Sequence, residues 1–337
     1  MGVFADKKDI AEFASSHAPH MALGYFDGVH LGHQSLLARV LQLAREEGGE
    51  PGVLLLEPHP QNVLQAGGGF RTINTLEERV ALIRAFGDIH IFILPFDEDF
   101  AGSPPEAFVR DYLAGLLRIR TAVCGYNYRF GHKGAGGSRD LQSMGKAYGF
   151  GVSVLPQVTD RGEPVSSSEI RRLLGEGAMF EAYSRLGHCH AFSGNVVGGR
   201  KIGSSLGFPT ANLDIGPERI WPARGVYGAF IRDGRGRILR GIVNAGVRPT
   251  VGDGGAPSFE IYLIDFQGDL YGSKLEAVLT DRLRPEQAFG SLEGLREQIG
   301  RDLTRAGSVL DAWEGSLSRC GLSKDVIFSC FIRFFPI

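Results

Sequence analysis

The sequence predicts an α/β chain in two parts: a parallel sheet with crossover helices, followed by an antiparallel barrel or sandwich that a helix closes. Three observations carry this expectation. The 337 residues exceed the roughly 100–200 of one ordinary domain. Short apolar runs alternate with stretches of helical period up to about residue 186. Beyond it the runs shorten, and 18 of the 48 glycines crowd into residues 187–272, as closely spaced strands with tight turns require.

Met21–Leu23 reads as a strand ending at Gly24, and Leu36, Leu37, Val40, Leu41 and Ala44 then recur on one helical face. Val53–Leu56 is a buried-strand run stopped by Pro58. Val80, Leu82 and Ile83 suggest a helix, followed by a strand at Ile89–Leu94. Phe108–Leu117 reads as helical, and Thr121–Cys124 and Val152–Leu155 as strands. After residue 186 the predicted strands are Ala191–Val197, Val226–Ile231, Ile238–Val243, Phe259–Ile264 and Leu275–Leu283. Leu292, Leu295, Ile299 and Leu303 place one helix face after them. Residues 307–337 form a tail without an assigned role, apolar over Val326–Ile337 except for Arg333.

Composition narrows the function. A net charge of −2 argues against wrapping nucleic acid or coating an anionic membrane. The 4 cysteines form no CxxC pair, which suits reduced thiols in the cytoplasm and no zinc site. The first residues carry Asp6, Lys7, Lys8 and Asp9 instead of an apolar signal segment, and no apolar run is long enough to span a bilayer.

Two constellations carry chemistry. In Gly24-Tyr25-Phe26-Asp27-Gly28-Val29-His30-Leu31-Gly32-His33, two histidines open a helix straight after a strand. That place offers backbone N–H groups and positive dipole potential to a phosphate. His30 and His33 can donate to an α-phosphate as charge builds during in-line attack, and Gly32 permits close backbone approach. Ser166, Ser167 and Ser168 precede Glu169 at capping-box spacing, with Arg171 available to neutralise a polyphosphate. Pro58 and His59 follow one strand and Asn127 another, where either turn could line a nucleotide or ring pocket.

The second half lacks a GxxxxGK[ST] segment. It carries Gly194-Asn195-Val196-Val197-Gly198-Gly199, a strand and glycine turn that form a candidate flap over phosphates, and then Gly203-Ser204-Ser205-Leu206-Gly207-Phe208-Pro209-Thr210-Ala211-Asn212. Thr210 and Asn212 supply neutral oxygens for Mg²⁺ beside ATP. Alternation sets Phe259, Ile261 and Leu263 on one strand face and Glu260 on the other, where a carboxylate can take a proton from an attacking hydroxyl.

These motifs resemble the nucleotidyltransferases with the HxGH signature. More narrowly, Gly-x-Phe-Asp-Gly-Val-His-x-Gly-His, Pro-His-Pro, Gly-Phe-Pro-Thr-Ala-Asn, Asn-x-Gly-x-Arg-Pro-Thr and Asp-Leu-Tyr-Gly are similar to bacterial bifunctional riboflavin kinase/FMN adenylyltransferases. The resemblance implies a Rossmann-like nucleotidyltransferase domain over 1–185 and a Greek-key β-barrel kinase domain with a terminal helix over 186–306. It implies ATP as co-substrate, Mg²⁺, and riboflavin, FMN and FAD as substrates or products. Gly24, Phe26, Asp27, Gly32, Pro58, His59, Asn127, Ser166, Ser167, Ser168, Gly199, Gly203, Pro209, Thr210 and Asn212 become binding residues. His30, His33, Arg171 and Glu260 become the catalytic set. The sequence departs from the family pattern at Ser204, at Gly134–Gly137 where the family places an arginine, and at Tyr262 where it places a histidine. One retained activity, or a flavin-binding sensor without turnover, are the alternatives. A tRNA-ligase-like transferase would need a basic surface that the net charge does not suggest.

Overall fold

The computed structural model describes residues 1–64, 69–198, 208–247, 257–319 and 323–328. The chain divides into two compact units, Met1–Ser167 and Ser168–Ile337.

The first unit is Rossmann-like. Strands β1 (Val3–Phe4), β2 (Pro19–Leu23), β3 (Glu50–Glu57), β4 (His90–Pro95), β5 (Thr121–Gly125) and β6 (Gly151–Leu155) form one sheet in the order β1-β4-β3-β2-β5-β6. Every neighbouring pair is parallel. Helices cover both faces of such a sheet, so its strands read as continuous apolar runs, and every residue of β2 is buried. The chain leaves β2 to pair on one side with β3 and later returns to its other side as β5. That reversal opens a crevice beyond the carboxyl ends of β2 and β5.

Helix α1 (Lys7–Ser16) and strand β1 were not anticipated, because the charged N-terminus hides two buried anchors, Ile10 and Ala14. Helix α2 (Leu31–Glu47) buries Leu36, Leu37, Val40 and Leu43 and stops at Gly48, whose φ is 71°. Helix α3 (Leu76–Phe86) starts with a full capping box between Thr75 and Glu78. The helix expected over Phe108–Leu117 is present as α4 (Phe108–Leu116), wound with π-type bonds such as Leu117 N–H to the Tyr112 carbonyl at 2.8 Å. Helix α5 (Ser138–Tyr148) precedes β6.

Helix α6 (Ser167–Glu176) has its first residue in the first unit and the rest in the second, where helix α7 (Met179–Leu186) follows. Strands β7 (Ala191–Val197), β8 (Thr210–Asp214), β9 (Gly225–Asp233), β10 (Ile238–Val247), β11 (Pro257–Leu263) and β12 (Lys274–Pro285) close into a barrel in the order β7-β8-β11-β10-β9-β12. All its pairs are antiparallel. A closed barrel therefore resolves the choice between barrel and sandwich. β8 was not among the predicted strands, since Thr-Ala-Asn-Leu-Asp lacks an apolar run.

Helix α8 (Leu292–Arg319) is longer than its sequence signal. It continues 13 residues beyond 306 because Ala306 and Leu310 are fully buried, so the first part of the expected tail is structural. Ala306 packs with Val226, Ile242 and Leu283 of the barrel. Residues 329–337, most of the apolar stretch, lie outside the described residues.

Candidate functional site

The loop after β2 reaches the crevice in a conformation L-residues avoid. Phe26 and Val29 hold φ of 54° and 40°, and Gly28 holds 87°. Such backbone persists only when its surroundings enforce it. Phe26 is fully buried, and its ring packs 4.8 Å from that of His33. Asp27 is buried too, and its carboxylate accepts from the Ile73 and Asn74 amides at 2.8 and 3.2 Å. Phe26 and Asp27 thus build the loop from beneath, while Gly24 lines an adjoining cavity.

His30 caps α2 by accepting the His33 amide on Nδ1 at 3.3 Å. With Nδ1 an acceptor, the neutral ring carries its proton on Nε2, the donor edge. The two imidazoles stack with centroids 3.7 Å apart. Gly32 leaves little room here: a Cβ would stand 3.0 Å from His30 Cε1, and the ring would have to give by a few tenths of an ångström. Burial holds the His33 pKa well below the histidine range, aided by His30 and by the Arg79 guanidinium. Its Nδ1 is buried without a hydrogen-bond partner.

His59 is buried after β3, stacked on Phe70 at 4.5 Å and beside Tyr25 at 5.2 Å, while Pro58 is exposed. Asn127 is exposed in the turn after β5. Its neighbours Tyr128, Arg129 and Phe130 line a cavity of about 130 Å³ that also meets Gly24, Tyr25 and Lys133. Burial pushes the Tyr128 phenol well above its usual pKa, so it stays a neutral donor. Helix α6 starts one residue after Ser166, as the capping spacing requires. Ser167 Oγ donates to the Asp27 carbonyl at 2.8 Å, and Ser168 and Arg171 follow on α6.

In the barrel, register assembles the second site. Glu260 on β11 stands opposite Asn212 of β8 and opposite Asn244 of β10. Thr210 shares the outward face of β8 with Asn212, since strand side chains alternate. Phe259, Ile261 and Leu263 fill the barrel at 1%, 1% and 5% exposure, so Glu260 is on the opposite face, as expected. A cavity of about 310 Å³ is lined by Thr210, Asn244, Glu260 and Tyr262, with Phe208 and Phe289 among its aromatic walls. Arg284 at its edge grips Asp302 of α8 through three N–O contacts of 2.7 to 3.0 Å. Pro209 is exposed where the chain enters β8. Gly199 and Gly203 lie outside the described residues.

A model of the FAD synthetase family matches residues 13–169, and a model of the riboflavin kinase family matches residues 186–310. Curated bifunctional riboflavin kinase/FMN adenylyltransferases are similar over the same span. That of Listeria monocytogenes is 34% identical over 84% of this chain and 89% of its own length. That of Escherichia coli K12 is 34% identical over 84% and 90%, and that of Bacillus subtilis 168 is 34% identical over 85% and 90%. The chain belongs to the bifunctional riboflavin kinase/FMN adenylyltransferase family. A solved structure described as a macrolide-efflux protein of Streptococcus pneumoniae superposes with a TM-score of 0.79 at 28% identity, over 90% of this chain and 97% of that one.

Within this riboflavin kinase/FMN adenylyltransferase fold, several site-lining residues escaped the sequence reading. Phe96, Phe100 and Phe108 wall the first cavity from segments that look like ordinary core. Asn244 was visible within its Asn-x-Gly-x-Arg-Pro-Thr motif, but its place beside Glu260 depends on strand order. Arg79 had only the neighbouring capping box as a signal.

Proposed function

We propose that the second unit transfers the γ-phosphoryl group of ATP to riboflavin, and that the first transfers AMP from ATP to the resulting FMN. Supporting this, Glu260 lines the aromatic-walled cavity of the second unit, and the first unit holds an aromatic-lined cavity suited to a flat ring. The loop that carries the two histidines meets the first cavity through Gly24 and Tyr25.

In the kinase step Glu260 takes the proton of the riboflavin 5′-hydroxyl, whose oxygen forms a bond to the γ-phosphorus as ADP leaves. In the transferase step an FMN phosphate oxygen attacks the α-phosphorus of ATP and pyrophosphate departs. His30 and His33 donate to the α-phosphate oxygens, with Arg171 and the Ser166–Ser168 segment holding the polyphosphate. Needing no covalent intermediate, that step relies on positioning.

Thr210 and Asn212 fit Mg²⁺, because both offer hard neutral oxygens next to a carboxylate strand. Among the described residues no cluster of three His, Cys, Asp or Glu could hold a metal ion. When bound, Mg²⁺ would neutralise phosphate charge. No helix among the described residues is long and apolar enough to cross a membrane. We place the enzyme in the cytoplasm, acting on small molecules and not on nucleic acid or membrane.

The test is direct. Protein incubated with riboflavin, ATP and Mg²⁺ should yield FMN and then FAD on chromatography. Absence of both products from folded protein would favour the sensor reading.

A further inference from the structure

One buried arginine joins separate parts of the first crevice. Arg79 is 2% exposed and sits on α3 directly after Glu78 of the capping box. Its Nη1 donates to the Tyr25 carbonyl at 3.2 Å, and its Nη2 makes a close ion pair with Glu57 Oε2. Tyr25 begins the histidine loop, and Glu57 ends β3 just before Pro58 and His59.

We propose that Arg79 is a positioning residue for adenylyl transfer, its guanidinium tying the Tyr25 carbonyl of the histidine loop to Glu57 at the end of β3. The inference rests on the transferase function proposed above. The accepted carbonyl belongs to the peptide joining Tyr25 to Phe26, and Phe26 is one of the residues forced to positive φ. A bond at that peptide restrains the loop where it would otherwise relax. A planar fork serves two acceptors at fixed angles, which an ammonium cannot do. Asp27 restrains the next residue through Ile73 and Asn74. The loop is therefore pinned from two sides before His30 begins α2.

The same guanidinium acts on His33 electrostatically. Burial, His30 and Arg79, in that order, disfavour its proton. Glu57, facing Arg79 from β3, offsets part of the positive charge.

Arg79→Met, Arg79→Lys and Glu57→Gln in the full chain separate these contributions. The readouts are kcat and KM for FMN-to-FAD conversion and the His33 titration by histidine-selective NMR, assigned with His33→Gln. Riboflavin phosphorylation by the other unit serves as the internal reference for folded protein. Arg79→Met should cut kcat roughly 10- to 100-fold while the KM for ATP changes less than about 3-fold. The His33 midpoint should rise, because one of the charges that disfavour its proton is gone. Arg79→Lys should keep that midpoint low, because charge remains, yet lose most of kcat, because the fork is gone. Glu57→Gln, which retains the fork, should reduce kcat by about 3-fold or more, and it decides the matter if Arg79→Met does not fold.

The proposal falls if Arg79→Met leaves both kcat and the His33 midpoint unmoved, if Arg79→Lys has full kcat, or if Glu57→Gln is indistinguishable from wild type. Should the wild-type protein make no FAD, the transferase function fails. The His33 midpoint in Arg79→Met would then still decide whether Arg79 acts on the histidine loop.

Discussion

Removing the Asp302 carboxylate tests how α8 is fastened to the barrel. Asp302 and Arg284 have side chains only 5% and 17% exposed. Besides its three contacts with Arg284, Asp302 accepts from Gln298 Nε2 at 2.9 Å. In Asp302→Ala the guanidinium loses its partner in a mostly dry setting, a change that typically costs about 3–5 kcal/mol when burial is complete. Arg284 retains some access to water, so about 2–4 kcal/mol is the better expectation. With a urea slope of roughly 2 kcal/mol per molar, the midpoint should fall by about 1–2 M.

The chain offers a selective probe. Its two tryptophans, Trp221 and Trp313, both lie in the second unit, so their fluorescence follows that unit without a contribution from the first. Trp313 is on α8 itself, 6.3 Å from the ring of Phe230 on β9. The pair Asp302→Leu with Arg284→Met, which removes both charges, should recover most of the loss. The reasoning is refuted if Asp302→Ala shifts the midpoint by less than about 0.3 M, or if the double variant is no more stable than the single one.

Other expectations concern the two sites and pH. Gly32→Ala should press on the His30 ring and lower FAD formation at least roughly 10-fold without a matching loss of thermal stability, measured by calorimetry beside activity. Glu260→Gln should stop FMN formation yet leave FMN-to-FAD conversion, and His33→Ala should do the reverse. Chromatography that shows both variants losing both steps equally in folded protein would defeat the two-site assignment. His190 is 1% exposed, and burial, then Arg219 and His188, hold its pKa well below the histidine range. Unfolded, it takes a proton near pH 6.5 while the folded form still refuses one. Stability of the second unit should therefore fall as pH drops below about 6.5, by up to about 1.4 kcal/mol per unit for this group. Urea midpoints by tryptophan fluorescence between pH 7.5 and 5.5 should show the slope, and His190→Asn should lessen it by one proton's worth.

The parallel sheet was legible because both faces of its strands are covered, which leaves unbroken apolar runs such as Val53–Leu56 in the sequence. β8 was not, because its Thr210 and Asn212 interrupt the apolar signal. The end of α8 was obscure for a related reason: Ala306 and Leu310 are widely spaced among polar residues. Among the candidate site residues, His30, His33 and Glu260 stand out by local chemistry. The placement of Arg79 and Asn244 does not, since each gains its position from a partner far along the chain. Arg79 is 54 residues from Tyr25, and Asn244 meets Glu260 only across paired strands. The cavity-lining phenylalanines were equally hidden, because an apolar ring against a ligand and one within a core have the same signature.

The pairing of Glu260 with Asn212 and Asn244 determines where the chain can change in length. A single residue inserted or deleted within β11 would bring Phe259 or Ile261 to the outward position and send the carboxylate into the barrel. Activity and the apolar filling would be lost together, so no half-working intermediate lies along that path.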